Sequence, residues 1–549
     1  MFHRTARIAA VTAVSVLSLT LAGCGGSDGG EDGKPDLSKN RVGAMENYKA
    51  GDQFKATAPV DFSILFLEQS HYPMKKDWLL WSEITKRTNV TLKPTVVPNS
   101  DYNQKRSLLI GSGQAPMIIP KTYPGAEKAF VSSGAILPVS DYIDLMPNYK
   151  DKVAKWNLQS NVDTLMQQNG KYYLLPGLHE DVWNNYSLAI RSDILAQLKL
   201  EIPKTWDELH TVLTAMKKAY PTKYPWTERW NKPDAGGALF GLMGRAFGTN
   251  AGWTFQENVL WDDQAKKFVF AGSSDGFKQM VTYLNTMVKE GLLDPEGFTQ
   301  IDDQAKQKIA NSESFVISTS DQTLVNDYRV PLAKINPSAT MTRIPVPIGP
   351  AGEIKDWSRL ENGMMISAKA KESPNFVAMM QFIDWLWYSD AGQEFAKWGV
   401  EGVTYTKDAS GKRTLAADVD YIGMNPKGTK KLQVDYGFSG GVFAYGGSTE
   451  LLHSMFSADE VEFQKVMGAR KALPVPPPFP LTAEEQEEIA LWQTPLKDFV
   501  YQQQLMFSLG KRDISQWDAY KAELDTKGAT KYIDMVNKAY ETFRDSKKG

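Results

Sequence analysis

Short apolar runs alternate with an amphipathic helix near the start of the body, and this order limits the possible folds. Residues 61–67 form a nearly continuous apolar run, as expected for a strand covered on both faces. A helical stretch with Trp78 and Trp81 on one face follows, and then an extended stretch over residues 90–96. Strand, helix and strand in this order predict a right-handed crossover between parallel strands. The pattern therefore favours an α/β fold.

The length and charge of the chain exclude several classes of protein. A chain of 549 residues is too long for one ordinary hydrophobic core, which predicts two lobes. The 62 Lys and Arg residues against 64 Asp and Glu residues leave no basic excess for binding phosphates. With 42% hydrophobic and 23% charged residues, the chain resembles neither a disordered nor a polytopic membrane protein. We expect a soluble, monomeric body that does not bind nucleic acid.

The N-terminus has the layout of a secretory signal. An uncharged apolar run over residues 8–23 follows Arg4 and Arg7, and it is too short to span a membrane. Residues 21–24 read LAGC, and Cys24 is the only cysteine of the chain. This resembles the lipobox of bacterial lipoproteins, in which the cysteine is joined to diacylglycerol and becomes the new N-terminus. The alternative is a stray cysteine in a leader that is cut away.

The lipobox resemblance implies how the protein is held. Removal of residues 1–23 would leave Cys24 as the anchor, and two or three acyl chains suffice for stable membrane attachment. Residues 25–33 have no apolar side chain, so we assign residues 24–58 to a flexible linker. We expect a protein that is exported and lipid-anchored at the outer face of the bacterial cytoplasmic membrane, and that has no internal disulfide.

The chain is predicted to cross between the lobes twice, near residues 177–186 and near residues 363–367. Polar and aromatic residues of the first crossing are flanked by two strand-like runs, and the second crossing is itself strand-like. The resulting division is residues 59–182 in the first lobe, residues 183–361 in the second, residues 362–453 returning to the first, and residues 454–549 as a C-terminal helical segment completing the lobes.

Three helix starts are recognisable from their capping residues. Thr205 with Glu208 forms a capping box, and Pro374 suits the first position of a helix. Ser515, three residues before an aspartate, is expected to cap a helix in the C-terminal segment.

These landmarks, taken in order, resemble family 1 of the extracellular solute-binding proteins of ABC importers. The resemblance is to its long oligosaccharide-binding lipoprotein branch and covers nearly the whole mature chain. Its most specific parts are residues 202–209 (IPKTWDEL), residues 399–405 (GVEGVTY), and the tail from residue 507 (FSLGKRDI) to Tyr540.

The resemblance implies two α/β lobes, each a mainly parallel sheet flanked by helices, with a ligand cleft between them. It implies a protein that captures an oligosaccharide, closes by a hinge motion and delivers the sugar to a membrane permease. Met117 departs from the family, because relatives usually carry an aspartate there. Residues 217–224 lack the carboxylates of the calcium loop found in some long relatives, so we predict no metal site.

A sugar site needs aromatic rings for the apolar faces of the sugar and planar polar groups for its hydroxyls. Residues of these types that follow predicted strands or lie at the crossings are the candidates for ligand binding. They are Glu68, Tyr123, Trp183, Asn185, Tyr186, Trp253, Asp321, Trp357, Arg359 and Tyr445. Alternative roles are a solvated loop charge for Glu68, a hinge brace for Arg359 and a mobile surface turn for Tyr445.

Motifs for catalysis are absent from the sequence. It has no G-x-S-x-G elbow, no H-E-x-x-H helix and no phosphate loop, and its five histidines are scattered. We therefore predict no catalytic residue, no cofactor and no enzymatic activity. Two alternatives remain: a secreted glycoside-active enzyme, whose two carboxylates a sequence cannot show, and a non-catalytic surface lipoprotein that binds another solute, such as a peptide.

Overall fold

The computed structural model describes residues 36–229, 237–254, 257–440 and 443–547. The predicted signal sequence, the lipidation site Cys24 and residues 25–35 of the predicted linker lie outside these ranges. Within them, no helix combines the length and the apolar character that are needed to cross a membrane.

The strands of the described residues are mostly short. In chain order they are β1 (Val60–Glu68), β2 (Val90–Pro98), β3 (Ile118–Thr122), β4 (Leu175–His179), β5 (Ser187–Arg191), β6 (Val259–Asp262), β7 (Lys267–Phe270), β8 (Val316–Thr319), β9 (Met341–Ile344), β10 (Ile354–Lys355), β11 (Leu360–Ile366), β12 (Tyr405–Lys407), β13 (Arg413–Leu415), β14 (Val419–Asp420), β15 (Lys430–Lys431), β16 (Gly446–Gly447) and β17 (Lys471–Ala472).

Helices make up much of the remainder. They are α1 (Leu79–Thr88), α2 (Tyr102–Gly111), α3 (Lys128–Val131), α4 (Pro147–Lys155), α5 (Gln159–Asp163), α6 (Ser192–Leu198), α7 (Trp206–Ala219), α8 (Gly237–Ala246), α9 (Asp275–Lys289), α10 (Asp302–Ala310), α11 (Asp321–Thr323), α12 (Val330–Ile335), α13 (Phe376–Tyr388), α14 (Asp390–Trp398), α15 (Thr449–Ser454), α16 (Ala458–Gly468), α17 (Ala483–Ser508), α18 (Trp517–Thr526) and α19 (Ala529–Ser546). Short 3₁₀ and π segments join some of them.

The first lobe is built on a six-stranded sheet in the order β16-β4-β11-β3-β1-β2. β1 pairs with β2 and β3 in parallel, and α1 connects β1 to β2, which confirms the predicted strand–helix–strand unit. Phe62 and Ile64 on one face of β1 and Leu65 on the other are all buried, because helices cover both faces of the sheet. Its apolar core is completed by α13 and α14, which pack against each other.

Residues 36–58 belong to this lobe, so the prediction of a flexible linker is wrong for them. Phe54 is fully buried and makes an edge contact with Phe382 of α13 at 6.2 Å between ring centroids. The main-chain N–H of Ala56 donates to the carbonyl oxygen of Thr88 at 2.8 Å. The polar composition of residues 25–33 does not continue beyond them, and apolar residues in the next stretch dock onto α13.

The second lobe has a three-stranded sheet in the order β8-β5-β9, and both pairings are antiparallel. The predicted fold class is confirmed, but the prediction of a mainly parallel sheet is wrong for this lobe. The reason lies in the crossings: β5 carries the chain into the lobe and β9, beside it, carries the chain back. A strand that returns next to the strand that entered must run in the opposite direction. β11 is antiparallel to β4 in the first sheet for the same reason.

The C-terminal helices pack on the second lobe. Leu496 and Val500 of α17, Tyr520 of α18 and Val536 of α19 join the same apolar core as Leu213 of α7. Gly528 separates α18 from α19 with a φ of 96°, a left-handed conformation that suits glycine.

Two of the three predicted helix starts differ in detail. The predicted start of α7 is confirmed, since the Thr205 hydroxyl accepts a hydrogen bond from the N–H of Glu208 at 3.1 Å. The reciprocal half of the capping box is shifted by one residue, because the Glu208 carboxylate accepts from the N–H of Lys204 at 2.6 Å. Helix α13 begins at Phe376, two residues after the predicted start. In the tail, Asp513 rather than Ser515 supplies the cap, and it accepts from the Ser515 N–H at 2.8 Å. A 3₁₀ turn placed before α18 moves the cap upstream.

Candidate functional site

Both crossings between the lobes border one cavity of about 210 Å³. The first crossing, residues 180–186, leads from β4 to β5, and the second, residues 345–359, leads from β9 to β11. The prediction of the second crossing near residues 363–367 is wrong, because that stretch lies in and just after β11, inside the sheet of the first lobe. The wall of the cavity is completed by α8, by the segment that follows α8 and by the end of α16. Three aromatic side chains and three neutral polar residues line it: Trp183, Tyr186, Trp253, Asn184, Asn185 and Thr254.

The aromatic rings are held in fixed orientations. Tyr186 and Trp253 meet edge to face, with 4.9 Å between centroids and 71° between planes. Trp183 lies 5.4 Å from the ring of His179. Gly252 permits this arrangement: with φ 50°, a Cβ atom there would lie 2.3 Å from the carbonyl oxygen of Gly237 at the start of α8. The cavity thus offers flat apolar surfaces set by the packing of α8.

The Asn184–Asn185 wall is fixed by a buried arginine. Arg343 Nη2 donates to the carbonyl oxygen of Asn184 at 2.9 Å and to that of Asn185. Its Nη1 donates to both carboxylate oxygens of Glu460 at 2.7 and 2.6 Å. The guanidinium also lies 3.6 Å from the ring centroid of Phe463. Arg343 is a positioning residue that the sequence analysis missed.

A histidine–carboxylate pair links the strands of the two crossings in the first sheet. His179 Nε2 lies 2.9 Å from Glu361 Oε2, and His179 is 3% exposed. The same oxygen accepts from the N–H of Gly446 at 3.2 Å. His179 Nδ1 has no hydrogen-bond partner among the described residues. This pair holds the ring against which Trp183 packs.

A lysine lies between tyrosines near this pair. Lys121 Nζ is 4.5 Å from the ring centroid of Tyr445 and 5.3 Å from that of Tyr72. Desolvation lowers the pKa of Lys121 to about 7, although the charge of Glu361 acts in the opposite direction. Tyr445 is 5% exposed and does not line the cavity, so it is a packed residue of the first lobe and not a mobile surface turn. The sequence analysis missed Lys121 because β3 shows only its apolar residues as a pattern.

Tyr123 and Asp321 lie in the cleft on opposite lobes. Tyr123 follows β3 and is 61% exposed. Desolvation raises the pKa of its phenol, and the nearby Tyr186 and Glu361 add to this. Desolvation, followed by the charge of Glu460, raises the pKa of Asp321 to about 7.

Three of the predicted residues serve the protein's own structure or lie away from the cavity wall. Glu68 Oε1 accepts from the N–H of Met74 at 3.0 Å and so closes its own loop. Arg359 donates to the carbonyl oxygens of Trp156, Asn157 and Glu180 and to Asn161 Oδ1, which braces the first lobe. Trp357 is half-buried and does not line the cavity.

The two lobes touch beyond the crossings. Lys128 Nζ of the first lobe lies 2.5 Å from Glu257 Oε1 of the second. A Cβ atom on Gly423 would lie 3.3 Å from Val325 Cγ1 across the cleft. These contacts bring the faces bearing Tyr123 and Asp321 together.

The arrangement of two lobes, two crossings and a cleft agrees with a match to a family profile. The profile of the bacterial extracellular solute-binding proteins matches residues 70–394, which is more than half of the chain. The chain belongs to this family. The predicted family is therefore confirmed.

Curated relatives of this solute-binding protein match most of its length. It is 24% identical over 503 residues to the fructooligosaccharide ABC transporter substrate-binding protein FusA of Streptococcus pneumoniae serotype 4, covering 85% of this chain and 88% of the relative. It is 24% identical over 412 residues to the polygalacturonan/rhamnogalacturonan-binding protein YtcQ of Bacillus subtilis, covering 73% and 74%.

Solved structures share the fold. The alginate-binding protein AlgQ2, in its structure without calcium, superposes with a TM-score of 0.67 at 20% identity, covering 89% of this chain and 99% of that one. FusA in complex with kestose gives a TM-score of 0.64 at 20% identity, covering 88% and 100%. At this level of identity the likeness establishes the two-lobed fold. In the described part of this chain, no group of three or more His, Cys, Asp or Glu side chains is placed to hold a metal ion.

Proposed function

We propose that this protein captures an oligosaccharide between its lobes and delivers it to the permease of an ABC importer. The observation that carries the proposal is the cavity at the two crossings, where Trp183, Tyr186 and Trp253 present their rings beside the amides of Asn184 and Asn185. Aromatic faces suit the CH faces of sugars, and amides can bind neighbouring hydroxyls.

The relatives support a carbohydrate as the solute. FusA carries the name of a fructooligosaccharide-binding protein and YtcQ that of a polygalacturonan-binding protein, and each matches this chain over most of its length. The cavity of about 210 Å³ is smaller than the roughly 300–1,000 Å³ sites that enclose a whole ligand. It would therefore enclose part of the oligosaccharide, and the rest would extend along the cleft.

Ligand binding would drive closure through contacts made on both lobes. A ligand shifts such an equilibrium only by binding the closed state more tightly than the open one. We assign the stacking contacts to Trp183, Tyr186 and Trp253. Hydrogen bonds would come from Tyr123 on the first lobe and Asp321 on the second.

The surroundings of the acidic groups disfavour the alternative of a glycoside-active enzyme. Such an enzyme needs two free carboxylates flanking the sugar bond. Asp356 at the cavity lies 3.4 Å from Arg245, and Glu460 near Asp321 is held by Arg343 in a buried pair. Both of these carboxylates are engaged in ion pairs, so neither is available beside Asp321 as the second free carboxylate.

We further propose that Cys24 carries a lipid that holds the protein at the outer face of the cytoplasmic membrane, within reach of the permease. Mass spectrometry of the protein expressed in a bacterium should show an acylated N-terminal cysteine. A Cys24→Ala variant recovered in the same membrane fraction with the same extractability would contradict lipid anchoring.

The test of capture is thermal unfolding of the mature protein with a panel of neutral and acidic oligosaccharides, combined with analysis of the sugars after incubation. A ligand that binds only the native state raises the unfolding temperature. A rise with intact sugar supports the proposal. Sugar cleavage with turnover would favour the enzyme, and the absence of a shift with every sugar would overturn the carbohydrate assignment.

A further inference from the structure

The charged residues of the cavity are mostly cationic. Four charged residues line it: Arg245, Lys355 and Arg470 are basic, and Asp356 is acidic. A site for a neutral sugar needs no excess of positive charge next to its aromatic rings. The distribution of ion pairs among these residues shows which cation is available to a ligand.

Two of the three cations are paired within the protein. Lys355 Nζ lies 3.0 and 3.2 Å from the two carboxylate oxygens of Asp181, and it donates to the carbonyl oxygen of Gly468 at 2.8 Å. Arg245 Nη2 lies 3.4 Å from Asp356 Oδ1, and its Nη1 donates to Asn250 Oδ1 at 2.6 Å.

Arg470 is different, because its guanidinium has no hydrogen bond or ion pair within the described chain. The side chain is half-buried, and desolvation lowers the pKa of its guanidinium, with the charge of Glu353 acting in the opposite direction. A cation that loses water without gaining a partner is unfavourable in the free protein. An anionic group on a ligand would remove that penalty.

The backbone around Arg470 is fixed by regular structure. Residue 470 lies between the end of α16 and β17, and β17 pairs in parallel with β10 at the cavity rim. The N–H of Lys471 donates to the carbonyl oxygen of Glu353 at 3.2 Å. The guanidinium is therefore presented to the cavity by a constrained segment, and its planar fork matches the two oxygens of a carboxylate.

We infer that the captured oligosaccharide is acidic, and that Arg470 pairs with the carboxylate of a uronate unit whose ring lies on the cavity aromatics. This inference rests on the proposed capture of a carbohydrate and specifies its class. Arg245, whose buried Nε has no partner among the described residues, lies on the same cavity and adds positive potential.

The experiment is calorimetric titration of the mature protein with trigalacturonate, trimannuronate and triguluronate, each compared with its fully methyl-esterified form. Esterification removes the charge and keeps the sugar. We expect at least one acid to bind, and its ester to bind at least tenfold more weakly. Raising the salt from about 0.1 to 1 M, which shortens the Debye length from about 10 to 3 Å, should weaken binding of the acid alone.

Variants at position 470 test the residue itself. Arg470→Met should weaken binding of the acid by about tenfold to a hundredfold, the usual range for a lost charge-assisted hydrogen bond, and change binding of the ester less than threefold. Arg470→Lys keeps the positive charge but loses the planar fork of donors, so its affinity for the acid should lie between those of the wild type and Arg470→Met. Lys465→Met is the matched control: it removes a charge from an exposed position of the preceding helix α16, outside the cavity.

Each outcome decides between the two proposals. If the esters bind as tightly as the acids, the inference fails and carbohydrate capture stands. If Arg470→Met weakens acid and ester equally in a folded protein, its role is packing, and the inference also fails. If no saccharide of either kind binds, carbohydrate capture fails with it.

Discussion

Replacing Arg343 by Met should destabilise the second lobe by about 3–5 kcal/mol, the usual result of removing one partner of a buried ion pair. The side chains of Arg343 and Glu460 are only 4% and 2% exposed. In Arg343→Met the Glu460 carboxylate stays buried, and the side-chain amide of Gln464 on the same helix, at 2.8 Å, is its remaining hydrogen-bond donor among the described side chains. The carbonyl oxygens of Asn184 and Asn185 also lose the guanidinium as a donor, although that of Asn184 keeps the side-chain amide of Gln464 at 2.8 Å.

A double variant separates the cost of leaving the Glu460 carboxylate buried and unpaired from the net contribution of the ion pair to the free energy of unfolding. Arg343→Met combined with Glu460→Leu removes both charges, and replacement of a buried pair by apolar residues is often neutral. We expect the double variant to be more stable than Arg343→Met alone, with a coupling energy of about 2–3 kcal/mol. Binding of sugar should stay weakened in both variants, because the carbonyl groups at positions 184 and 185 remain without the guanidinium.

The assay is urea unfolding, with hydrogen exchange read by mass spectrometry on peptides that cover β5 and β9. Lys521→Met, which removes one side of an exposed pair with Asp518, is the control and should leave the transition unchanged. A loss below about 1 kcal/mol in Arg343→Met would refute the reasoning, since it is well short of the usual range for a broken buried pair. Additive effects in the double variant would refute it equally.

Three further predictions follow from the site and the fold. Trp183→Ala and Trp253→Ala should each weaken sugar binding by at least about 1 kcal/mol in calorimetry, whereas Trp357→Ala should leave it unchanged; equal effects in all three would contradict the assigned wall. Phe54→Ala should destabilise the first lobe by about 3–5 kcal/mol in urea unfolding, and a negligible loss would restore the linker prediction. Burial raises the pKa of Glu228 to about 7, so its ionisation opposes folding and the wild type should lose stability as pH rises from about 4.5 to 7. Glu228→Gln should remove up to about 3 kcal/mol of that loss in unfolding measured across this range, and parallel pH profiles would contradict it.

Local patterns predicted the elements whose physics is local. The apolar run over residues 61–67 predicts the buried strand β1 from its own composition. The Thr205 hydroxyl lies only three residues before Glu208, whose N–H donates to it. The aromatic cluster at Trp183–Tyr186 was also accessible, because its residues are contiguous and lie between two recognisable strands. Strand direction in the second lobe could not be predicted from the sequence, since it depends on which strand returns beside β5.

Pairs that join distant parts of the chain account for what the sequence did not indicate. His179 and Glu361 are 182 residues apart, and Arg343 and Glu460 are 117 apart. The two partners of each pair come from distant segments, so no local sequence pattern marks the pair. Such pairs become visible only when the crossings bring β4, β11 and the second sheet together.

The two arginines near the crossings show why residue type alone could not assign the site. Arg359 was a candidate and Arg470 was not, although both carry the same fork of donors. Arg359 donates its hydrogen bonds within the protein, and its acceptors include the main-chain carbonyl groups of Trp156 and Asn157. Every residue has such a carbonyl group, so no sequence pattern marks these acceptors. Arg470 lies at an aromatic cavity and finds no acceptor among the described residues. The availability of a guanidinium to a ligand is therefore a property of its surroundings, and the unpaired one marks where an acidic sugar would bind.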